Sequence, residues 1–246
     1  MELERLAILG LTLAAGAFVK GATGMGLPLI ALPVLTSAFG LQHAVGIMAV
    51  VQIVTNIAQV WQFRDGAKDV RLQFMPMFLV TCAVGVGFGT WLLGNLPERY
   101  LIFSLGIVLL VYFVLKIKNP HFSIAPTVAQ KLAPFTGVGT GILQGATGIS
   151  APVGVTFIHA MGLDRRVHVY AVSAMFLLLG FIHLPALFIS GIMKPDWMLE
   201  ALLALIPIAI FMPLGQRVAG KLSRKAFDRM ILIFLGLMGV KMVMGL

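Results

Sequence analysis

The chain has 246 residues, 59% hydrophobic and 11% charged, against about 25% charged in an ordinary soluble domain. Too little polar surface is available to face water on all sides, which excludes a large soluble helical protein. The formal charge of +9 is scattered between apolar runs instead of forming one patch, which argues against nucleic acid as a partner and for orientation in a lipid bilayer.

The first apolar run, Leu6–Val19, has the length of a signal-sequence core. The residues before it, Glu2, Glu4 and Arg5, are not net positive, and the segment recurs later in the chain, so it is read as part of the fold. It leads into Gly21-Ala22-Thr23-Gly24-Met25-Gly26-Leu27-Pro28. Apolar runs follow at about 43–63, 72–94 and 100–116, each suited to one tilted membrane helix. A linker at 117–130, with Asn119-Pro120 and Ala125-Pro126, precedes Gly145-Ala146-Thr147-Gly148-Ile149-Ser150-Ala151-Pro152. The last runs lie at about 167–190, 197–216 and 230–245.

The two glycine segments are near copies, and the match continues downstream. Phe39-Gly40-Leu41 answers Met161-Gly162-Leu163, Ala49-Val50 answers Ala171-Val172, and Gly89, Gly94 and Leu96 answer Gly215, Gly220 and Leu222, at offsets of 122 to 126. The predicted organisation is one membrane domain built from two repeats, 1–124 and 125–246.

Residues 6–38 would make a helix of about 50 Å, too long for one crossing, while Leu6–Val19 alone spans only about 21 Å. The segment is either one broken crossing or a pair of half-helices that enter and return on the same side. One crossing per segment distributes the basic residues evenly over both faces. A re-entrant pair leaves Arg5, Arg99, Lys194 and Lys241 on one face and thirteen on the other, with Lys20 at the break. That asymmetry matches positive-inside orientation and favours the re-entrant arrangement, with both termini outside, although two short full crossings have the same parity. Each repeat then holds three further spans, an odd number, so the second is inverted. The predicted fold class is an all-α integral membrane protein of two inverted repeats, each a glycine-broken re-entrant helix pair plus three transmembrane helices, a design in which broken helices meet near the midplane.

Unwound backbone inside a membrane persists only where protein or a polar cavity surrounds it. Glycine favours such unwinding. Pro28 and Pro152, four residues after the second glycine of each motif, suit the first turn of a following helix. Free amides and the positive end of a helix dipole then point at each break, which is the chemistry of an anion site. The predicted substrate-binding residues are Lys20, Gly21, Ala22, Thr23, Gly24, Met25 and Gly26 in the first copy. In the second they are Gln144, Gly145, Ala146, Thr147, Gly148, Ile149 and Ser150, with both breaks contributing to one pocket. Thr23, Thr147 and Ser150 are read as hydroxyl donors. Lys20 is a functional candidate because a lysine within the bilayer is costly; the competing reading has it snorkelling outward. The competing reading for the glycines is close helix packing, which Gly10, Gly16 and Gly21 would serve.

All nine acidic residues lie at termini or near loops. A cation or metal carrier would place a carboxylate in its path, so no metal site is expected and the solute is read as negative. Gln52, Thr55, Asn56 and Gln59 share one helix face. Gln52 and Asn56 join the candidate site, with interhelical hydrogen bonding an equal alternative. His183, beside Pro185, is either a proton relay or a satisfied structural histidine. Arg217, Lys221, Arg224, Lys225 and Arg229 read as a cytoplasmic anchor.

The motifs Gly21–Pro33, Gly145–Pro152 and Gly89-Thr90-Trp91-Leu92-Leu93-Gly94-Asn95-Leu96 resemble those of the TauE/SafE sulfite exporter family, integral membrane permeases of bacteria and archaea. The resemblance spans essentially the whole chain. It implies a multi-pass protein of the cytoplasmic membrane that moves sulfite or a related sulfur-containing or organosulfonate anion. Ser150 stands where the first copy has Gly26, so the two breaks need not contribute equally.

The expected function is a secondary transporter working by alternating access. The expected partners are a small anion, the bilayer, and H+ or Na+ as a coupling ion. An anion channel shares these features. A membrane enzyme or assembly factor is the weaker alternative: the single cysteine, Cys82, excludes a thiol pair, and no HExxH, intramembrane acid pair or nucleotide-binding motif is present. No catalytic residue and no cofactor are expected. Substrate identity, direction and oligomeric state are not encoded legibly.

Overall fold

The computed structural model describes residues 2–118, 123–219 and 224–245. Asn119-Pro120 of the linker and Lys221 of the basic group lie outside the described residues. The described residues form helices without a strand: α1 (Glu2–Thr23), α2 (Leu27–Phe39), α3 (Leu41–Gln62), α4 (Met75–Asn95), α5 (Glu98–Lys118), α6 (Pro126–Thr147), α7 (Gly154–His159), α8 (Arg165–Ile189), α9 (Pro195–Leu203), α10 (Leu205–Val218) and α11 (Arg224–Met244). Two 3₁₀ turns, Arg64–Lys68 and Val70–Phe74, link α3 to α4. Among the described residues, six helical stretches are long and apolar enough to cross a membrane: Glu4–Thr23, Leu41–Gln62, Val70–Asn95, Glu98–Lys118, Arg165–Ile189 and Pro195–Val218.

Of the expected apolar runs, 43–63, 72–94, 100–116 and 167–190 appear as single helices with ends displaced by a few residues; 197–216 is divided between α9 and α10, and 230–245 lies within α11, which is not among these six stretches. The glycine segments differ from expectation in two ways. Their leading arms are long, since α1 and α6 each have 22 residues, about 33 Å at 1.5 Å per residue. Their second arms are short, 13 residues in α2 and six in α7. The chain reverses at both breaks. Gly16 of α1 lies against Leu27 and Ala31 of α2, and Gly139 and Thr140 of α6 lie against Val153 and Gly154. Each segment is a helical hairpin whose first arm is a whole helix instead of the expected half.

The helices cluster into two compact units. Unit 1 holds residues 1–51, 97–118 and 194–246; unit 2 holds 52–96 and 119–193. In unit 1, α1 packs on α10 with almost no side chain between them. A β-carbon at Gly21 would stand 2.0 Å from the Met212 carbonyl oxygen, and one at Gly215 would stand 2.1 Å from that of Phe18. Gly106 of α5 meets Gly239 of α11 in the same way, 2.9 Å from its carbonyl oxygen. In unit 2, α4 and α6 mesh along Gly85 and Gly89 on one side and Gly137, Gly141 and Gly145 on the other. A β-carbon at any of these five would fall 2.6 Å or less from an atom of the facing helix. Small residues spaced by four are the means by which membrane helices approach closely where no hydrophobic drive separates protein from lipid. The glycines that correspond between the halves, Gly21 with Gly145 and Gly89 with Gly215, thus make corresponding contacts. Each contact joins a helix of one sequence half to a helix of the other.

Apolar side chains fill the remaining core. Phe74, Phe78 and Phe157 form a ring cluster at 5.4–6.1 Å in unit 2, and Leu13, Leu32, Leu35 and Leu41 are fully buried in unit 1. Glu98, at the start of α5, accepts the backbone N–H of Leu41 and so caps the first turn of α3. Beyond the end of α3, Arg71 binds Asp69 at 2.7 Å and Asp164 at 2.8 Å. Hydrogen bonds from Arg71, above all those of its side chain, lower the Asp69 carboxyl to about 2. A depressed carboxylate stabilises above its unfolded value and loses that contribution as pH falls through the folded one. The Asp69–Arg71 pair is therefore expected to persist from neutral pH down to pH 4 and to titrate only near pH 2, which the Asp69 carboxyl carbon resonance would report.

Candidate functional site

In unit 1, α1 stays helical through Gly21-Ala22-Thr23, and only Gly24 leaves it, at φ 84°. Gly24 N–H closes the last turn on the Lys20 carbonyl at 2.7 Å, the left-handed glycine cap of a helix C-terminus. The second copy repeats this: Gly148, at φ 72°, donates to the Gln144 carbonyl at 2.8 Å. The expectation that the whole Gly-Ala-Thr-Gly stretch unwinds is thus corrected. The first glycine of each motif permits close helix packing, and the second turns the chain. Alanine at Gly24 or Gly148 is expected to cost about 1–2 kcal/mol through left-handed strain. Gly10, which has open space beside it, is the control; melting of the detergent-solubilised variants checks this.

The threonines are part of the same cap. Thr23 donates its hydroxyl to the Val19 carbonyl at 2.9 Å and accepts Met25 N–H at 3.3 Å. Thr147 donates to Leu143 at 2.7 Å and accepts Ile149 N–H at 3.4 Å. Ser150 donates to Gln144 Oε1 at 2.8 Å. All three hydroxyl protons expected to face a ligand therefore have protein acceptors.

The two breaks diverge after the cap. Gly26, at φ 104°, precedes α2 without offering a side-chain cap, and Pro28 occupies the first turn as expected. The first bond of that turn is Ile30 N–H to the Gly26 carbonyl at 3.2 Å. The leading amides of α2 precede it, at the positive end of the helix. After the second break, Val153 and Gly154 N–H both bond to the Ser150 carbonyl, at 3.2 and 2.8 Å, and α7 is only six residues long. Pro152 sits in this turn, ahead of α7. The second break therefore lacks the extended helix start of the first.

Lys20, one turn before Gly24, is 2% exposed and lies inside unit 1, which removes the snorkelling reading. Gly21, Ala22, Thr23, Met25 and Gly26 surround the same hairpin.

In unit 2 the polar row of α3 faces inward. Gln52, Thr55, Asn56 and Gln59 are all at most 4% exposed. Gln144 Nε2–H donates to Gln52 Oε1 at 2.9 Å, and Ser173 Oγ–H donates to Gln59 Oε1 at 3.1 Å. Asn56 Nδ2–H donates to the Gln52 carbonyl at 2.6 Å. Gln52 and Gln59 thus both make interhelical hydrogen bonds, and that of Gln52 belongs to a connected cluster with Gln144 and Ser150; Gly145, Ala146 and Ile149 beside them in the chain are buried. His183 is fully buried against the Gly145 backbone, and neither ring nitrogen reaches hydrogen-bonding geometry. Among the described residues, no group of three His, Cys, Asp or Glu side chains is placed to hold a metal ion.

Sequence reasoning missed one polar cluster in unit 1. His43 Nε2 binds Glu200 at 2.7 Å, its Nδ1 meets Arg5 at 3.2 Å, and its ring stacks on Trp197 at 4.6 Å. Glu200 stood out in the sequence only as one of few acids; its partners come from distant positions.

The sequence pattern described as Sulfite exporter TauE/SafE matches residues 8–242. No curated protein and no solved structure matches the chain significantly. A match over nearly the full length, on a chain with six membrane-crossing helical stretches, makes this a multi-pass membrane transport protein that belongs to the TauE/SafE sulfite exporter family.

Proposed function

We propose that the chain is a secondary carrier that moves a small anion, sulfite or a related sulfur-containing or organosulfonate anion, by alternating access. The single observation that carries this reading is Lys20. It is a lysine 2% exposed, one turn before a break whose next helix opens without a side-chain cap. A lysine buried within a membrane helix and a helix start left without a side-chain cap each favour an anion. The second break itself carries neutral polar groups. The host membrane is taken as the cytoplasmic membrane of a bacterium or archaeon, with two inverted repeats oriented by the basic loops. Coupling to H+ or Na+ completes the cycle.

The test is flux in proteoliposomes with sulfite, thiosulfate, sulfate, methanesulfonate and acetate. A carrier shows saturation and counterflow for one group of anions. Linear, unsaturable flux would replace it with a channel, and absence of anion flux in every case would overturn the reading.

A further inference from the structure

We propose that the Gln52 side-chain amide is a neutral recognition donor for the transported oxyanion, held in place by a relay that starts at Ser150. This rests on the anion-carrier reading above and deepens it by assigning a residue and a hydrogen-bond polarity.

The argument follows the protons. Ser150 Oγ–H donates to Gln144 Oε1 at 2.8 Å. In this arrangement the carbonyl end of Gln144 faces Ser150, and its Nε2–H points away and donates to Gln52 Oε1 at 2.9 Å. The carbonyl end of Gln52 is occupied in turn, and its Nε2 is left as the far end of the chain. Nε2 is buried and donates to no protein atom, while the whole residue is 3% exposed. Buried amide donors almost always find an acceptor, and one without it costs about 1–3 kcal/mol. A protein retains such a group where an acceptor from outside the chain completes it.

The polarity is set by the chain as a unit. Exchanging nitrogen and oxygen in both amides would make Gln144 donate to Ser150 and leave Gln52 ending in a carbonyl. The relay as built ends in two N–H groups and therefore complements an oxygen that carries no proton. A deprotonated oxyanion offers such an oxygen. Gln52 would touch the solute; Gln144 and Ser150 act through it, as positioning residues.

The experiment compares Gln52→Glu, Gln52→Leu and wild type for sulfite uptake into proteoliposomes, with KM and maximal rate resolved and melting followed in detergent. Glutamate keeps the shape and the acceptor for Gln144 but replaces the terminal N–H pair with a carboxylate oxygen. Leucine removes the buried donor altogether and guards against a folding failure of the charged variant. The expected result is a KM raised roughly tenfold to a hundredfold in both, as for loss of a hydrogen bond to a charged group, with folded protein recovered at least for Gln52→Leu. Ser150→Ala, which frees Gln144 to turn, is expected to raise KM with the maximal rate held. A folded Gln52→Leu with unchanged KM overturns the proposal, as does a folded Gln52→Glu that keeps or gains affinity, since that is the signature of a carbonyl-ended relay. Wild type that transports no anion would instead overturn the carrier reading itself.

Discussion

Gly145→Ala is expected to disrupt unit 2, although it adds a single methyl group. The added carbon would stand 2.4 Å from the Val86 carbonyl oxygen, 2.6 Å from the Thr90 nitrogen and 2.8 Å from the Gly89 carbonyl carbon. All three are backbone atoms, so no rotamer change relieves the clash, and α4 and α6 must move apart. That movement strips the neighbouring contacts of Gly85, Gly89 and Gly141, where the two backbones also approach closely. Overpacking typically costs about 1–3 kcal/mol, and the rigid surroundings place this change at or above the top of that range. Gly145→Leu is expected to yield no monodisperse protein. Gly87 on α4 has nothing within 4 Å of a would-be β-carbon. Gly87→Ala should therefore be neutral or raise stability by up to about 1 kcal/mol, through lower chain entropy in the helix. Equal melting temperatures for Gly145→Ala and Gly87→Ala would refute the close-packed reading of the motif's first glycine.

The second large effect is on transport. Lys20→Met keeps an unbranched side chain of nearly the same length and removes the amine. Melting of the detergent-solubilised variant separates a loss of affinity from a loss of fold. The apparent affinity for the anion should fall at least tenfold, since interactions with a charged donor contribute about 1.5–3 kcal/mol. A variant with unchanged affinity and lowered stability would make Lys20 a structural ion.

Much of the architecture was legible because membrane helices announce themselves by length and apolarity. Runs such as 43–63 and 100–116 needed only a few residues of correction, to Leu41–Gln62 and Glu98–Lys118. The duplicated glycine motif was legible for the same reason that it works: few residues accept the backbone of Gly24 and Gly148. Its internal division of labour was not. Gly21 and Gly24 look alike in sequence, but one answers to a neighbouring helix and the other to its own φ angle. The spacing Gly137-x₃-Gly141-x₃-Gly145 was a readable signal for close packing, as was Gly85-x₃-Gly89. Which helix each would meet was not readable, because pairing of distant segments leaves no local periodicity. The relay through Gln52 was half legible. Helical spacing put its amide on a polar face with Asn56, but its link to Gln144 joins positions 92 residues apart.

The tightest helix pairs have a wider implication. α1 with α10, α5 with α11 and α4 with α6 each draw one member from residues 1–124 and one from 125–246. A polypeptide comprising residues 1–124 alone would leave every one of these glycine furrows without its mate. Covalent linkage of the two stretches makes each of these pairings intramolecular and so independent of protein concentration.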